Sequence, residues 1–167
     1  MKVEDIGSRL VTLVRELDAA GAPDEALGEF VPSRGFGPFT TAEKFRPLGR
    51  AWRLGVLLLD KRARLYSTGE LTRAIEPGRA AVNRSPAGER RRALRLAAAR
   101  SGFPKGEVVN YGYLPIGTGE DAVTESSRPL SVLDGAVVVQ LEPGAVADLD
   151  RYLSERVELL RGGEQLF

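Results

Sequence analysis

GRAWRLGVLLLDKRARLYSTGELTRAI, residues 49–75, is the stretch whose reading decides the fold. Successive side chains of a strand point to opposite faces. On one extended backbone Trp52, Leu54, Val56 and Leu58 share a side, and Arg53, Gly55, Leu57 and Leu59 share the other. A strand that begins half-polar and ends apolar on both sides predicts a central position, covered by helices on at least one face. Asp60-Lys61-Arg62-Ala63 reads as a tight charged turn, and Arg64 to Glu70 as a weaker, half-solvated return strand with a bulge or bend at Gly69. The expectation is a hairpin that supplies core and edge.

The residues missing from the chain narrow the chemistry. It has 167 residues, no cysteine and no histidine. Disulfides, thiolate nucleophiles, histidine bases, Ser-His-Asp arrangements and histidine-containing zinc sites are therefore out of reach of a single chain. An active site would have to use Asp, Glu, Lys, Tyr, Ser or Thr, with an oxygen-ligated magnesium or manganese still open to it. The formal net charge of +1 gives no global argument for nucleic acid. Charge is unevenly spread, however: residues 84–105 carry a formal +6 and residues 107–158 a formal −7, which predicts mutual neutralisation in the fold. MKVEDIGSRLV has acids within its first five residues and no long apolar core, so a signal peptide is not expected. No apolar run approaches the roughly 20 residues of a membrane span.

Outward from the hairpin, the spacing of Val3, Ile6, Leu10, Leu13, Val14, Leu17 and Ala20 predicts a helix over about 4–20, stopped by Gly21. Pro23 to Phe30 reads as a short second helix with proline near its start. Thr40-Thr-Ala-Glu43 fits a capping box for one helical turn before Pro47. Between them, Arg34-Gly-Phe-Gly-Pro-Phe39 is a loop that the two phenylalanines are expected to pin by packing; a lid or binding loop is the other reading. Ser85-Pro86 opens a helix to about Ser101. Its arginines spread around the axis at 100° per residue, with Arg90 in line with Leu94, Ala97 and Ser101, so a face that tracks phosphates is not expected. Residues 107–114 read as a strand and 115–131 as a long loop. Its Gly117-Thr-Gly-Glu-Asp121 centre lacks the lysine of a phosphate loop and holds two acids, so a mobile surface loop is expected. Ala136 to Leu141 should be an internal strand. Pro143 should begin a last helix with Val146, Leu149, Leu153, Val157 and Leu160 on its apolar stripe.

The order of hairpin, turn, helix ending Ser101-Gly102-Phe103, and strand resembles a Nudix hydrolase. With that family's G-x5-E-x7-R-E-x-x-E-E-x-G box laid so that its last glycine is Gly102, its arginine falls on Arg95. Its metal-binding carboxylates fall on Ala87, Leu96, Ala99 and Arg100, so the resemblance implies the fold without the magnesium chemistry. RPLGRAWRLGVLLLDKRARLYSTGELTRA, ERRRALRLAAARSGF, GEVVNYGYLPI and YLSERVELL also resemble a family of small actinobacterial proteins, some of them labelled glutaminases. The Ser-x-x-Lys of serine-type glutaminases and the cysteine of the amidotransferase type are both missing here.

These readings predict an α+β fold, a single domain over 1–167 with a mainly antiparallel sheet of about four to five strands built on the central hairpin. N-terminal, middle and C-terminal helices pack it. The expected function is non-catalytic binding or interaction in the cytoplasm, with a homodimer, another protein or an anionic small molecule as partner, and neither nucleic acid nor membrane. The alternative is a hydrolase or transferase working through metal or carboxylates on a degenerate Nudix-like fold. No catalytic residue, metal ligand or cofactor is assigned. A ligand pocket would draw on Trp52, Arg53, Tyr66, Glu70, Arg73, Asn110 and Tyr111, with arginine holding an anion and Glu70 the acid placed to act as a base.

Overall fold

The hairpin forms, but it turns earlier than the alternation of side chains indicates. In the computed structural model, which describes residues 1–78, 85–118, 128–142 and 144–163, the apolar run is two strands, β2 (Lys44–Leu54) and β3 (Leu57–Asp60). Leu54 pairs with Leu57, which leaves Gly55 and Val56 as a two-residue turn. Gly55 has φ +66°, as expected of the first central residue of a type II′ turn, the hand that matches strand twist. A Cβ at Gly55 would lie 2.1 Å from the Tyr152 hydroxyl, so the position also has no room for a side chain. Because pairing reverses at residue 55, Trp52, Leu54, Leu57 and Leu59 share one face. Arg53 and Leu58 share the other. The turn expected at 60–63 follows and leads into β4 (Leu65–Ser67).

Among the described residues the architecture is α+β, with a mixed sheet in the order β5-β6-β1-β2-β3-β4-β7, a three-stranded sheet in the order β10-β9-β8 and three α-helices. The remaining strands are β1 (Glu25–Val31), β5 (Glu70–Arg73), β6 (Val108–Tyr111), β7 (Leu114–Ile116), β8 (Leu130–Leu133), β9 (Ala136–Glu142) and β10 (Ala145–Asp148). The helices are α1 (Ile6–Ala19), α2 (Pro86–Ala99) and α3 (Leu149–Arg161). Seven strands replace the four to five expected for the main sheet, and the parallel pair β1–β6 makes it mixed. No helix among the described residues is long and apolar enough to cross a membrane.

Contacts divide the chain into two units. The first holds residues 1–24, 51–68 and 113–167. Here Ile6, Leu10, Leu13 and Leu17 of α1 and Leu149, Tyr152, Leu153, Val157 and Leu160 of α3 bury their stripes in one core with Trp52, Leu54, Leu57 and Leu59. The two terminal helices thus roof the hairpin, and Arg9 ties them together, its Nε donating to Asp150 at 2.6 Å. Pro143, the expected start of the last helix, falls outside the described residues. The helix begins at Leu149, where the Asp148 carboxylate caps the Arg151 amide, while Ala145–Asp148 pairs with β9. A capping carboxylate satisfies a free amide that proline cannot supply. Val146 is therefore exposed on a strand instead of lying in the helix stripe. As expected, β9 is internal to its sheet.

The second unit holds residues 25–50 and 69–112. Its core is Ala26, Phe45, Ala74, Leu94, Ala97, Ala98, Val109 and Tyr111, with α2 on one face of the sheet. The Ser85 hydroxyl caps the Gly88 amide and Pro86 opens the helix, as predicted. The helix expected over 23–30 is instead β1, because its seven residues alternate Ala26, Gly28 and Phe30 against Glu25, Leu27 and Glu29 and find partners in β6. Nor do residues 40–43 form a helical turn: Glu43 pairs with Arg90 instead of reaching back as a capping box requires. Pro47 lies in the part of β2 that β3 does not pair. The strand expected over 107–114 is two, with Gly112 (φ +65°) between β6 and β7. At Gly69 a Cβ would meet the Tyr111 carbonyl oxygen at 2.3 Å, which explains the break between β4 and β5. Most of Gly117–Asp121 lies outside the described residues. The loop expected over 115–131 begins within β7 and ends within β8.

Candidate functional site

The seven residues expected to line a pocket fall in both units and on opposite faces of their strands. In the first unit Trp52 is 1% exposed, and its indole Nε1 donates to the Ala22 carbonyl at 3.1 Å. Arg53 pairs across from Leu58, and Leu58 across from Tyr66, so Arg53 and Tyr66 share a face from which Trp52 points away. On that face Tyr66 meets Tyr113 edge to face at 5.2 Å and donates its hydroxyl to Asp60 at 3.1 Å.

Asp60, which the sequence presents as one charge in a turn, organises this region. It is 4% exposed. Its Oδ1 accepts from the amides of Arg62 and Arg64 at 2.9 Å each, and its Oδ2 from the Arg64 Nε at 2.8 Å. The turn needs this carboxylate, since Ala63 sits at φ +58°, a conformation that costs a residue with a Cβ some energy. Burial alone would raise the Asp60 pKa, but the Arg64 amide and guanidinium and the Arg62 amide outweigh it and hold the carboxyl below its ordinary value. Its donors all lie within six residues, so its lone pairs are used inside its own turn.

In the second unit Glu70 pairs across from Tyr111, and Arg73 from Val108. Glu70 and Tyr111 lie on the α2 side, whereas Arg73 and Asn110 lie on the other. The pairing of Arg73 with Glu70 considered on sequence grounds therefore has the wrong geometry. The Asn110 side chain, fully buried, donates to Glu25 at 2.7 Å and to the Ala26 carbonyl at 3.3 Å. The Tyr111 hydroxyl donates to Glu70 at 2.7 Å. Burial first, and then the neighbouring Glu70 carboxylate, push the Tyr111 phenol up to about 12. Tyr111 therefore stays neutral and serves as a donor, not a base.

Four residues absent from the expected pocket complete this corner. Phe45 packs edge to face on both Tyr111 and Phe30, at 5.2 and 5.4 Å. Arg90 lies over the Phe30 ring at 4.8 Å and pairs with Glu43 at 2.9 Å. The clue to Arg90 was in the sequence, in its alignment with Leu94, Ala97 and Ser101 on the inward stripe of α2. Arg90 uses Glu43, and Arg92 donates to the Gly78 carbonyl.

The loop after β1 departs furthest from expectation. Phe36 is 94% exposed and Phe39 84%, so neither ring pins it. The polar backbone does that instead. The Thr41 amide donates to the Arg34 carbonyl at 2.7 Å, the Arg34 amide to the Thr41 hydroxyl at 3.0 Å, and the Phe39 amide to the Phe36 carbonyl at 3.2 Å. Gly35, at φ +110°, allows the crossing, since a Cβ there would sit 2.3 Å from the Phe39 carbonyl oxygen. The loop is thus closed at its base and raises two phenyl rings into water.

Among the described residues no group of three or more acidic side chains is arranged to hold a metal ion. No protein-family model, curated protein or solved structure matches the chain.

Proposed function

We propose that this chain is a non-catalytic interaction module of the cytoplasm whose contact surface is the Phe36–Phe39 loop. The observation that carries this reading is the exposure of two phenylalanines on a loop already closed by its own hydrogen bonds. Covering one phenyl ring is worth about 1.5–3 kcal/mol relative to leaving it in water. A loop held in shape before contact loses little further freedom on binding, so more of that gain is kept as affinity. The carboxylate chemistry supports the same reading, because Asp60 is consumed by its turn and Tyr111 is tied to Glu70. The test places p-benzoylphenylalanine at position 36 and irradiates the protein in extract of its own cells. A covalent adduct to protein, absent when the same group stands at the exposed Lys105, is expected. No adduct anywhere would remove the loop from the account.

A second reading, a carboxylate-dependent hydrolase or transferase, has one observation in its favour: Glu70 is exposed while the Tyr111 hydroxyl orients it. It predicts turnover of a nucleotide or sugar phosphate that Glu70→Gln abolishes. A screen of such compounds with and without divalent metals decides it.

A further inference from the structure

The partner of the loop can be argued from charge, shape and area. Across 25–50 and 69–112 the sequence has thirteen basic residues against seven acidic ones, a formal excess of six positive charges. Across 1–24, 51–68 and 113–167 it has eleven basic against sixteen acidic, an excess of five negative charges. Two copies therefore repel when like units face each other and attract when the basic unit of one meets the acidic unit of the other. The basic unit carries the two exposed phenyl rings. The acidic unit carries a hollow of about 490 Å³ at the end of the three-stranded sheet, lined by Pro129, Leu141, Ala145 and Val146 with Arg128 and Gln140 beside them. Val146 and Leu141 are both exposed there. A cavity of about 150 Å³ accepts a benzene ring, so the hollow has room for two phenyl groups and the proline between them. The Arg128 guanidinium can lie over a ring face.

We propose that the loop's partner is a second copy of this chain, with the Phe36–Phe39 loop of each protomer seated in the Pro129–Val146 hollow of the other. The proposal rests on the loop being a contact surface. Area decides the symmetry. A phenylalanine buries roughly 150 Å² or more, so one loop with the surface it covers accounts for about 600–1,000 Å². A stable interface needs about 1,200–2,000 Å². One contact falls short and two reach it, so the proposal requires both loops to seat within one pair, and the assembly should stop at the dimer instead of growing head to tail.

The test is sedimentation of the full chain from about 1 to 100 μM, comparing wild type, Phe36→Ser with Phe39→Ser, and Val146→Asp. These side chains are exposed, so melting temperatures within a few degrees of wild type will show that each variant folds. The wild type should dimerise, and each variant should raise the dissociation constant at least tenfold. The chain has no cysteine, so a mixture of Phe36→Cys protein with Val146→Cys protein should form a disulfide between unlike chains on mild oxidation. A wild type that stays monomeric at 100 μM, or a dimer indifferent to both variants, overturns the proposal. If the protein is monomeric yet the benzoylphenylalanine at position 36 captures a different protein, the second copy is wrong and the contact loop stands. If nothing is captured, both are wrong.

Discussion

Asp60 with Tyr66 and Glu70 with Tyr111 are the same chemical pair placed in opposite ways. In the first, the carboxylate is buried and collects two amides, a guanidinium and a phenol. In the second, the phenol is buried and the carboxylate stands in solvent, oriented by that phenol at 2.7 Å. The acid is the structural member of one pair and the tyrosine of the other. A buried anion demands donors on every lone pair, whereas an exposed one is already satisfied by water. The comparison separates a carboxylate built into the fold from one left accessible, and it can be broken in three ways.

The largest effect is expected at Asp60. Asp60→Ala strands two turn amides and the Tyr66 hydroxyl, and should cost about 3 kcal/mol in chemical denaturation. Asp60→Asn keeps an acceptor for the amides and should cost less. The same group sets an acid limit. Its folded pKa is depressed, so its contribution is complete above the ordinary carboxyl range and is lost as pH falls through the folded value. The wild type should therefore lose stability below about pH 4 more steeply than Asp60→Asn. Equal slopes for the two proteins would show that Asp60 is not the buried anion of the comparison.

The second effect runs the other way in pH. Tyr111 ionises at about 12 when folded, against 10.0 for an ordinary phenol. An unfolded chain releases that proton first, so stability falls as pH rises from about 10 to 12, by up to roughly 2–3 kcal/mol. Tyr111→Phe should remove the Tyr111 share of this alkaline loss, leaving that of Tyr66, whose phenol burial also raises, and the acid limb untouched. Ultraviolet difference titration of the folded protein should show a late phenol that disappears in Tyr111→Phe. A Tyr111 that titrates near 10 would undo the second half of the comparison.

How much of this was legible in the sequence depends on whether local pattern or tertiary pairing made the choice. The stripe of Ile6, Leu10, Leu13 and Leu17, the Ser85-Pro86 start of α2 and the internal position of β9 follow from periodicity and capping, and they were read correctly. Gly55 was not. Leu54 to Leu59 alternates equally well as one strand or as two, and only the pairing of Leu54 with Leu57 distinguishes them. That one break moved Leu57 and Leu59 onto the face of Trp52 and made the indole a core residue. Glu25–Val31 misled for a similar reason, since proline at 23 and seven mixed residues satisfy a short helix until β6 offers hydrogen bonds. Within the candidate site, the sequence reading joined Glu70 and Tyr111 to Asn110 and Arg73, which pairing puts on the opposite face. Exposure of Phe36 and Phe39 could not be read from residue type, because aromatic side chains are ordinarily buried.

The smallest effect is the most discriminating. Glu70→Gln leaves an oxygen to accept the Tyr111 hydroxyl, so the hydrogen bond survives with a neutral partner and stability should fall by no more than about 1 kcal/mol. The substitution does remove the negative charge that opposes a phenolate 2.7 Å away. Two causes raise the Tyr111 pKa, burial first and the Glu70 carboxylate after it. With only the second taken away, the phenol should titrate earlier than in the wild type yet still later than 10. A return all the way to 10 would mean that the carboxylate, and not the packing of Phe45 and α2 around the ring, keeps Tyr111 neutral. Glu70 would then be as structural as Asp60, and it would no longer be the accessible acid that a hydrolase reading rests on.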